Sequence, residues 1–348
     1  MPSRGLSVLA AITTAVVLVC WFATAHRHSK TALSTTQERG LVFPQFQHQL
    51  PNVTDIEVAR ANDSFVLSRS GDAWANMGLG GFPALSERVE NVLIAMASMK
   101  YIAPKTGRSK LHHRLDVEDV NSTAQSTRLT FKDSTGVMLA DVIIGKSKNI
   151  FARRGVYVRL PDDNQTWLTE GSFDVRHNMI EWSDRVVADL DARFMKAITV
   201  YHLNRETISL YRKQPQDRKM KLKNLPVGAT IENQYQIDYI AGLLQDLNFM
   251  DAKRADEQSP GANPAFSVVT HWNGQLAMIL HTGEPMADGA VWARIKAWVV
   301  DNSQASEFEK QEAARIQSKF DGWSVKLPRK FTERIKIRME DIVRPGAQ

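Results

Sequence analysis

The amino-acid sequence predicts an α+β protein. An N-terminal transmembrane helix precedes two tandem modules, each a mainly antiparallel sheet with a helix packed on one face. Three observations support this prediction: a long uncharged run opens the chain, alternating apolar and polar residues between turn signals fill most of the rest, and the order of elements occurs twice. With 348 residues, 43% of them hydrophobic, the chain is long enough for two domains with sizeable cores.

The opening run extends from Leu6 to Ala25, twenty residues without a charge. A helix of about twenty apolar residues spans the roughly 30 Å hydrocarbon core of a bilayer, and aromatic residues near its end suit the membrane interface. The alternative is a cleaved signal peptide, because Ala23-Thr24-Ala25 fits a small-residue cleavage site. The residues that define the predicted anchor are Leu6, Val16, Trp21, Phe22 and Ala25.

The rest of the chain divides by composition and pattern. Polar residues and prolines predict a linker between the anchor and the first module. A helix from Trp182 to Phe194, capped by Ser183, is expected to end the first module and join it to the second. The predicted segments are an anchor region (1–30), a linker (31–52), a first module (53–195), a second module (196–343) and a tail (344–348).

The two modules have their elements in the same order. Each begins with short strands, continues with an amphipathic helix and ends with hairpins. Residues 127–146 align with residues 265–284, with their apolar positions in step. The second of these hairpins turns at Asn273-Gly274, two residues that tolerate positive φ. This pattern favours an internal duplication; coincidence is the alternative, because strand–helix–strand order is common.

The densest basic cluster lies in the second module between two strand-like apolar runs. A solvated hairpin tip is the ordinary interpretation, and contact with anionic lipid headgroups is the functional one. A nucleic-acid site would need a concentrated basic patch interleaved with aromatic residues, so the net charge of +6 predicts none. The residues of this cluster are Arg212, Lys213, Arg218, Lys219, Lys221 and Lys223.

The sequence contains no coherent group of catalytic or metal-binding residues. Its single cysteine, Cys20, lies in the predicted anchor, so the body has no disulfide and no thiolate metal site. Gly145-Lys146-Ser147 lacks the earlier glycine of a phosphate loop, because position 140 is Ala140, and it is interpreted as the end of a strand. No catalytic residue, cofactor or metal is therefore predicted.

Four short motifs occur along the predicted body: Gly71-Asp72-Ala73-Trp74, residues 142–146, residues 155–159 leading to Trp167-Leu168, and Trp182-Ser183-Asp184. Together they resemble a bacterial family described only as the domain of unknown function 4340. The chain departs from the family pattern after Trp74, where Ala75-Asn76-Met77 runs into glycines instead of a Trp-x-Leu and proline pattern. The resemblance implies a membrane-anchored accessory subunit of an ABC exporter, and it transfers no catalytic residue because the family has no established activity.

The leading hypothesis is a non-catalytic, single-pass protein of the bacterial inner membrane, with its body in the periplasm. It would act as an accessory or interaction subunit of an ABC-type export system, with membrane lipid and transporter subunits as partners. One alternative is an extracytoplasmic glycan- or lipid-binding module in which Trp272, Trp292 and Trp298 stack on sugar rings. The other alternative is an unrecognised hydrolase.

Overall fold

The computed structural model describes residues 40–344, except residues 62, 151–152, 172, 174, 176–177, 215–216, 218 and 261–263. Leu6, Val16, Trp21, Phe22 and Ala25 of the predicted anchor therefore lie outside the described residues, as do the last four residues of the predicted tail. Within the described part of the chain, no helix has the length and apolar character needed to span a bilayer.

The described chain consists of mainly antiparallel sheets with a few helices, which confirms the α+β class at that level. It forms two compact units. Unit 1 contains residues 40–78 and 84–182, and unit 2 contains residues 79–83 and 183–344. The division after Trp182 lies thirteen residues before the predicted boundary of 195/196.

Elements up to Trp182 are two α-helices, nine strands and four short 3-10 helices in the described residues. The helices are α1 (Phe46–Gln49) and α2 (Ser86–Ser98), and the 3-10 turns are Leu50–Asn52, Met77–Leu79, Ser109–Arg114 and Met179–Trp182. The strands are β1 (Val53–Arg60), β2 (Asp63–Ser70), β3 (Ala73–Asn76), β4 (Phe82–Pro83), β5 (Lys100–Pro104), β6 (Thr127–Asp133), β7 (Met138–Ile150), β8 (Arg153–Arg159) and β9 (Thr166–Glu170).

Within unit 1, sheet 1 has eight strands in the order β3-β2-β1-β6-β7-β8-β9-β5. Helix α2 lies on one face because Val89, Val92, Leu93 and Met96 recur at helical spacing and form one apolar stripe. These residues are buried in one cluster with the inward residues of the central strands, such as Leu129. The core of unit 1 therefore lies between α2 and sheet 1, as the sequence predicts.

Residues 40–52 are part of the unit 1 fold, which corrects their prediction as linker. Phe46 in α1 is buried, and its ring packs edge-on against Phe131 with centroids 5.1 Å apart. Val42 donates its backbone N–H to the carbonyl of Met99 at 2.9 Å. Prolines and polar residues dominated the sequence pattern here, whereas the apolar side chains Val42 and Phe46 decide the packing.

Elements after Trp182 comprise three α-helices, twelve strands and two 3-10 helices of the described chain. The helices are α3 (Gln234–Ala241), α4 (Glu307–Phe320) and α5 (Arg329–Ile335), with 3-10 turns at Ala192–Phe194 and Met339–Asp341. The strands are β10 (Val186–Ala188), β11 (Met195–His202), β12 (Thr207–Tyr211), β13 (Lys221–Leu222), β14 (Thr230–Ile231), β15 (Leu247–Asn248), β16 (Asp251–Arg254), β17 (Phe266–Trp272), β18 (Leu276–Thr282), β19 (Val291–Val299), β20 (Trp323–Leu327) and β21 (Val343–Arg344).

Sheet 2 has eight strands in the order β13-β12-β11-β17-β18-β19-β20-β16. Helix α4 begins with a capping box between Ser306 and Glu309, and its buried residues Ala313 and Ile316 belong to the stripe that faces β18 and β19. The segment Leu79–Pro83 also belongs to this unit, where the Phe82 ring lies 4.9 Å from that of Trp323. The core of unit 2 therefore lies on the side of sheet 2 that carries α4.

The helix expected from Trp182 to Phe194 is absent, and this expectation is corrected. Strand β10 pairs with β15 there, and a 3-10 turn follows. Aspartates explain the difference, because Asp184 accepts the N–H of Val186 at 3.0 Å and Asp191 accepts the N–H of Arg193 at 2.8 Å. Such local side-chain bonds compete with the helical pattern of backbone hydrogen bonds.

Eight strands of sheet 1 and the eight strands of sheet 2 follow the same connectivity. The order β3-β2-β1-β6-β7-β8-β9-β5 corresponds position by position to β13-β12-β11-β17-β18-β19-β20-β16. Each sheet has a buried row across three central strands, Val58–Leu129–Val142 in sheet 1 and Val200–Val268–Leu280 in sheet 2. We match these two rows and call two residues equivalent when they have the same place relative to the matched rows.

Candidate functional site

The most distinctive surface of unit 2 lies on the side of sheet 2 opposite α4. Three rows of residues between β13 and β19 form it, and we call these three rows the open face. Residues directly opposite each other in antiparallel strands share a face. All residues of the open face are exposed or half-exposed except the small, buried Ala277. Its rows are Lys221–Tyr211–Ala197–His271–Ala277–Trp298, then Ser209–Thr199–Val269–Ile279–Lys296, then Thr207–Tyr201–Ser267–His281–Arg294.

The centre of the open face is aliphatic and its sides are basic. Val269 and Ile279 are adjacent in the middle row, with Thr199 beside them. Arg294 and Lys296 lie on β19 at one side, and neither forms an ion pair with a described residue. The three rows contain no acidic residue, so the face combines a small apolar strip with uncompensated positive charge.

Two histidines of the open face are neutral at pH 7. Burial lowers the pKa of His271, and burial together with nearby Lys296 and Arg294 lowers the pKa of His281. The His281 Nδ1 atom lies 2.9 Å from the Ser267 hydroxyl oxygen, which orients this ring on the sheet. The charge of the face at neutral pH therefore comes from lysine and arginine.

The predicted headgroup-contact cluster divides in the structure. Arg212 is buried, and its guanidinium donates to the carbonyls of Met195 at 3.1 Å and Ala192 at 3.0 Å and also to that of Asp217. Arg212 thus holds neighbouring backbone segments together and is not free to contact a headgroup. Arg218 lies outside the described residues, while Lys213, Lys219, Lys221 and Lys223 are exposed.

Lys221 and Lys223 border the open face. Lys221 pairs with Tyr211 in the sheet register, and the Lys223 N–H donates to the Ser209 carbonyl at 2.7 Å. These two lysines therefore lie on the β13 side, across the sheet from Arg294 and Lys296. The sequence found these lysines but not their relation to β19, because that relation depends on strand pairing.

A separate cavity of about 380 Å³ lies at one end of β11 in unit 2. His202 lines it and is 6% exposed, and neither ring nitrogen has a hydrogen-bond partner among the described residues. Burial lowers the pKa of His202, so the ring is neutral at pH 7. The other lining residues are Leu203, Asn204, Ala265, Phe266, Glu284 and Arg338.

Glu206, whose charge acts on His202, already has other hydrogen-bond partners. Glu206 accepts from Arg338 Nη1 at 2.5 Å and from the Met339 N–H at 2.7 Å. Burial would raise the pKa of Glu206, but these two bonds outweigh burial and lower it. None of the described residues that line the cavity is a serine, threonine or cysteine.

The tryptophans considered for sugar stacking have three different environments. Trp292 is 8% exposed, whereas Trp298 is 42% exposed and lies on the open face. Trp272 donates its indole N–H to the Asp191 carbonyl at 3.0 Å and packs against Phe308. Only Trp298 among the three thus presents a largely exposed ring.

No group of three potential metal ligands occurs among the described residues.

The equivalent face of sheet 1 is self-paired. Where sheet 2 has Thr199, Val269 and Ile279, sheet 1 has Glu57, Thr130 and Asp141. Asp141 accepts from Arg128 at 2.5 and 3.0 Å and from Thr130 at 3.1 Å, and Lys132 contacts Glu57 at 2.5 Å. Carboxylates and cations of this face therefore neutralise one another.

Residues 105–126, here called the cover segment, also lie against this face of sheet 1. Arg159 is 3% exposed and donates from Nε to the Val117 carbonyl at 2.8 Å. Gly145 provides the space, because a Cβ atom there would lie 2.1 Å from the Leu115 carbonyl oxygen. The predicted end of a strand at Gly145-Lys146-Ser147 is instead the interior of β7, and the glycine permits close approach of another backbone.

Sequence reasoning missed the open face, although a signal was present. Outward positions of β17 and β18 carry Ser267, Val269, Ile279 and His281, with no acidic residue. Comparison with the outward positions of β6 and β7, which include Asp141, would have marked the difference. The pairing of β18 with β19 was needed to place Lys296 beside Ile279.

Comparison with known proteins adds one finding. A family model described as a domain of unknown function (DUF4340) matches residues 74–264, which are 191 of the 348 residues. This match confirms the resemblance found in the sequence motifs. No curated protein and no solved structure matches the chain.

Proposed function

We propose a function for this chain from one premise: it belongs to the family described as a domain of unknown function (DUF4340). The protein is a non-catalytic, single-pass protein of the bacterial inner membrane, anchored through residues 1–30 with its body in the periplasm. It serves as an accessory subunit of an ABC-type exporter. The observation that supports this proposal best is the open face of sheet 2.

The open face has the properties of a surface that a partner covers. Val269 and Ile279 are half-exposed in the middle of a sheet face, where an unpartnered sheet normally presents polar residues. The equivalent positions of sheet 1 are Thr130 and Asp141, which satisfy each other. Contiguous exposed apolar surface bordered by polar residues marks interaction sites.

The proposal includes an internal duplication. Identical strand order and corresponding register in sheets 1 and 2 support descent of both units from one ancestral module. After such a duplication, one copy can keep a covered face for stability while the other keeps a free face for recognition. The chain would then be a scaffold with a single specialised surface.

A glycan- or lipid-binding module is the second candidate, and one observation favours it. Trp298 presents an exposed ring on the open face, in the strand that also carries Lys296. Stacking on a sugar ring would need this indole, whereas the proposed protein contact depends chiefly on Ile279 and Val269. No observation in the described residues favours the hydrolase hypothesis.

The test is co-purification of the full-length protein from its native membrane in mild detergent. Permease or ATPase subunits are expected with the native protein and lost with Ile279→Glu, because a carboxylate in the apolar strip is unfavourable against an apolar partner surface. Ile94→Glu is the matched control, since Ile94 is 60% exposed on α2 of unit 1. Recovery of the native body alone, or retention of the subunits by Ile279→Glu, would contradict the proposal.

Location is tested separately by protease treatment of spheroplasts. The proposal expects the body to be digested from outside while cytosolic proteins survive, and the anchor to remain in the membrane fraction. A body protected until the membrane is lysed would place it in the cytosol and remove the exporter role as stated.

A further inference from the structure

We propose that the open face of sheet 2 binds an acidic amphipathic helix of the partner protein. This inference rests on the proposed function and adds the chemistry of the partner. Its two supports are the shape and polarity of the centre of the face and the position of the cations on both sides.

The centre accommodates a helix laid along the strands. Val269 and Ile279 provide the apolar contact. In the next row the half-buried His271 lies between the small residues Ala197 and Ala277, which allow close approach on either side of it. Strands β11, β17 and β18 are adjacent, so at about 4.8 Å per spacing they span about 10 Å. That width matches the roughly 10–12 Å diameter of an α-helix.

Cations lie on both sides of this strip, at different distances from it. Arg294 and Lys296 are on β19, directly beside β18, whereas Lys221 and Lys223 are on the β13 side, two strand spacings or about 10 Å beyond β11. None of these four forms an ion pair with a residue that the structure describes. A helix with an apolar stripe and glutamate or aspartate on both flanks would meet apolar surface and positive charge together, which favours orientation and association.

Other anionic ligands fit the same surface less well. Stacking of nucleic-acid bases uses aromatic side chains in the centre of a sheet, whereas the middle row here carries Val269 and Ile279, and the aromatic residues Tyr201, Tyr211 and Trp298 lie in the two rows on either side of it. The face presents side chains and not unpaired backbone groups, so addition of a strand is not available there. A helix uses both the aliphatic centre and the separated cations.

The same sheet already packs helices by similar contacts on its opposite side. Helix α4 buries Ala313, Ile316 and Phe320 toward β18 and β19 and leaves its glutamates Glu307 and Glu312 outside that stripe. Helix-on-sheet packing is one of the common layer arrangements of proteins. A partner helix on the open face would complete a second such layer.

The test uses two synthetic 18-residue helical peptides with the same leucine and alanine stripe, one flanked by glutamate and the other by lysine. Binding to the full-length protein in detergent is measured by fluorescence anisotropy at low and high salt. We expect the glutamate peptide to bind at least about tenfold more tightly than the lysine peptide at low salt, with the difference reduced by salt.

Variants assign this binding to the open face. Ile279→Glu is expected to weaken binding of the glutamate peptide at least about tenfold, because the substitution adds a like charge and removes apolar contact. The double variant Arg294→Glu with Lys296→Glu is expected to reverse the preference toward the lysine peptide. Ile94→Glu should change neither affinity, and melting curves check that each variant is folded.

Three results would overturn the inference. They are equal binding of both peptides, glutamate-peptide binding that is unchanged in Ile279→Glu, and displacement of that peptide by anionic vesicles or a single-stranded oligonucleotide that bind regardless of Ile279. Peptide binding as expected without co-purifying transporter subunits would refute the proposed function alone. Loss of subunits in Ile279→Glu without any peptide preference would refute the acidic helix alone.

Discussion

Two equivalent sheet faces of this protein have opposite properties. Arg159 in sheet 1 and Arg294 in sheet 2 occupy corresponding positions, since Arg159 lies opposite Ile143 and Arg294 opposite His281. Arg159 is buried beneath a network of carbonyl acceptors, whereas Arg294 is exposed without an ion pair among the described residues. The comparison teaches that strand order alone does not decide whether a sheet face is available to a partner.

The difference arises from one connection in each unit. Between β5 and β6, residues 105–126 supply twenty-two residues that lie against sheet 1, whereas between β16 and β17 only the eleven residues 255–265 intervene. Sheet 1 also carries its own carboxylates, such as Asp141, to neutralise its cations. Among the described residues, the central strands of sheet 2 have neither a covering segment nor carboxylates on this face, so the face is open.

The largest expected effect comes from removing the buried guanidinium. Arg159→Met should destabilise unit 1 by about 3 kcal/mol, because the carbonyls of Val117 and Pro161, each 2.8 Å from the guanidinium, lose a charged donor. Arg294→Met should change stability by less than about 0.5 kcal/mol, as expected for an exposed surface position. Urea denaturation, followed with a spectroscopic probe in each unit, measures the change in the free energy of unfolding for both variants. Equal losses for the two variants would remove the basis of the comparison.

A smaller effect is expected from a matched pair of glycines. Gly145 and Gly283 each lie three residues after corresponding residues of a row, Val142 and Leu280. Gly145→Ala should cost about 2 kcal/mol, because the new Cβ would lie 2.1 Å from the Leu115 carbonyl oxygen. Gly283→Ala should be nearly neutral, since its nearest atom is the Pro260 Cα at 3.6 Å.

Hydrogen exchange shows which part of unit 1 is affected by Gly145→Ala. Gly145→Ala should increase exchange in the cover segment more than in the central strands of sheet 1, because the clash is with the backbone of that segment. Gly283→Ala should leave exchange in sheet 2 unchanged. Unaltered protection of residues 105–126 in Gly145→Ala would show that the segment is not held by this contact.

The smallest effect expected is a pH dependence centred on His202 in unit 2. Its folded pKa is lowered by burial from the ordinary 6.5, with Glu206 opposing the shift and Arg338 adding to it. The unfolded chain therefore takes up a proton more readily, and stability present above pH 6.5 declines as the pH falls through that value. His202→Leu should make the melting temperature less sensitive between pH 8 and about pH 5.5. Parallel curves for both proteins would show that His202 does not contribute.

Local sequence signals predicted several elements correctly. The periodic apolar residues of α2, including Val92 and Met96, are buried as expected. Asn273 and Gly274 form the turn between β17 and β18 with φ of 48° and 101°, positive values that asparagine and glycine both tolerate. In these cases the deciding interactions lie within a few residues of one another, so the sequence pattern contains them.

Other predictions failed where distant residues or local side-chain bonds decide the outcome. The sequence groups Arg212 with surface lysines, but its guanidinium is buried and donates hydrogen bonds to the carbonyls of Met195 and Ala192. Residues 182–194 have helical apolar spacing, but Asp184 and Asp191 form local turns and β15 provides a pairing partner for β10. The spacing of apolar residues alone does not show which of these competing hydrogen bonds forms.

The sequence by itself determined the α+β class, the turn at Asn273-Gly274 and the family resemblance, because periodicity and turn chemistry are local properties. The tertiary structure decided which sheet face is covered. That outcome depends on Arg159 and Gly145 receiving a segment from elsewhere in the chain, while Ile279 and Lys296 receive none among the described residues. Coverage of a surface is a long-range property, set by which backbone and side-chain groups meet across the fold.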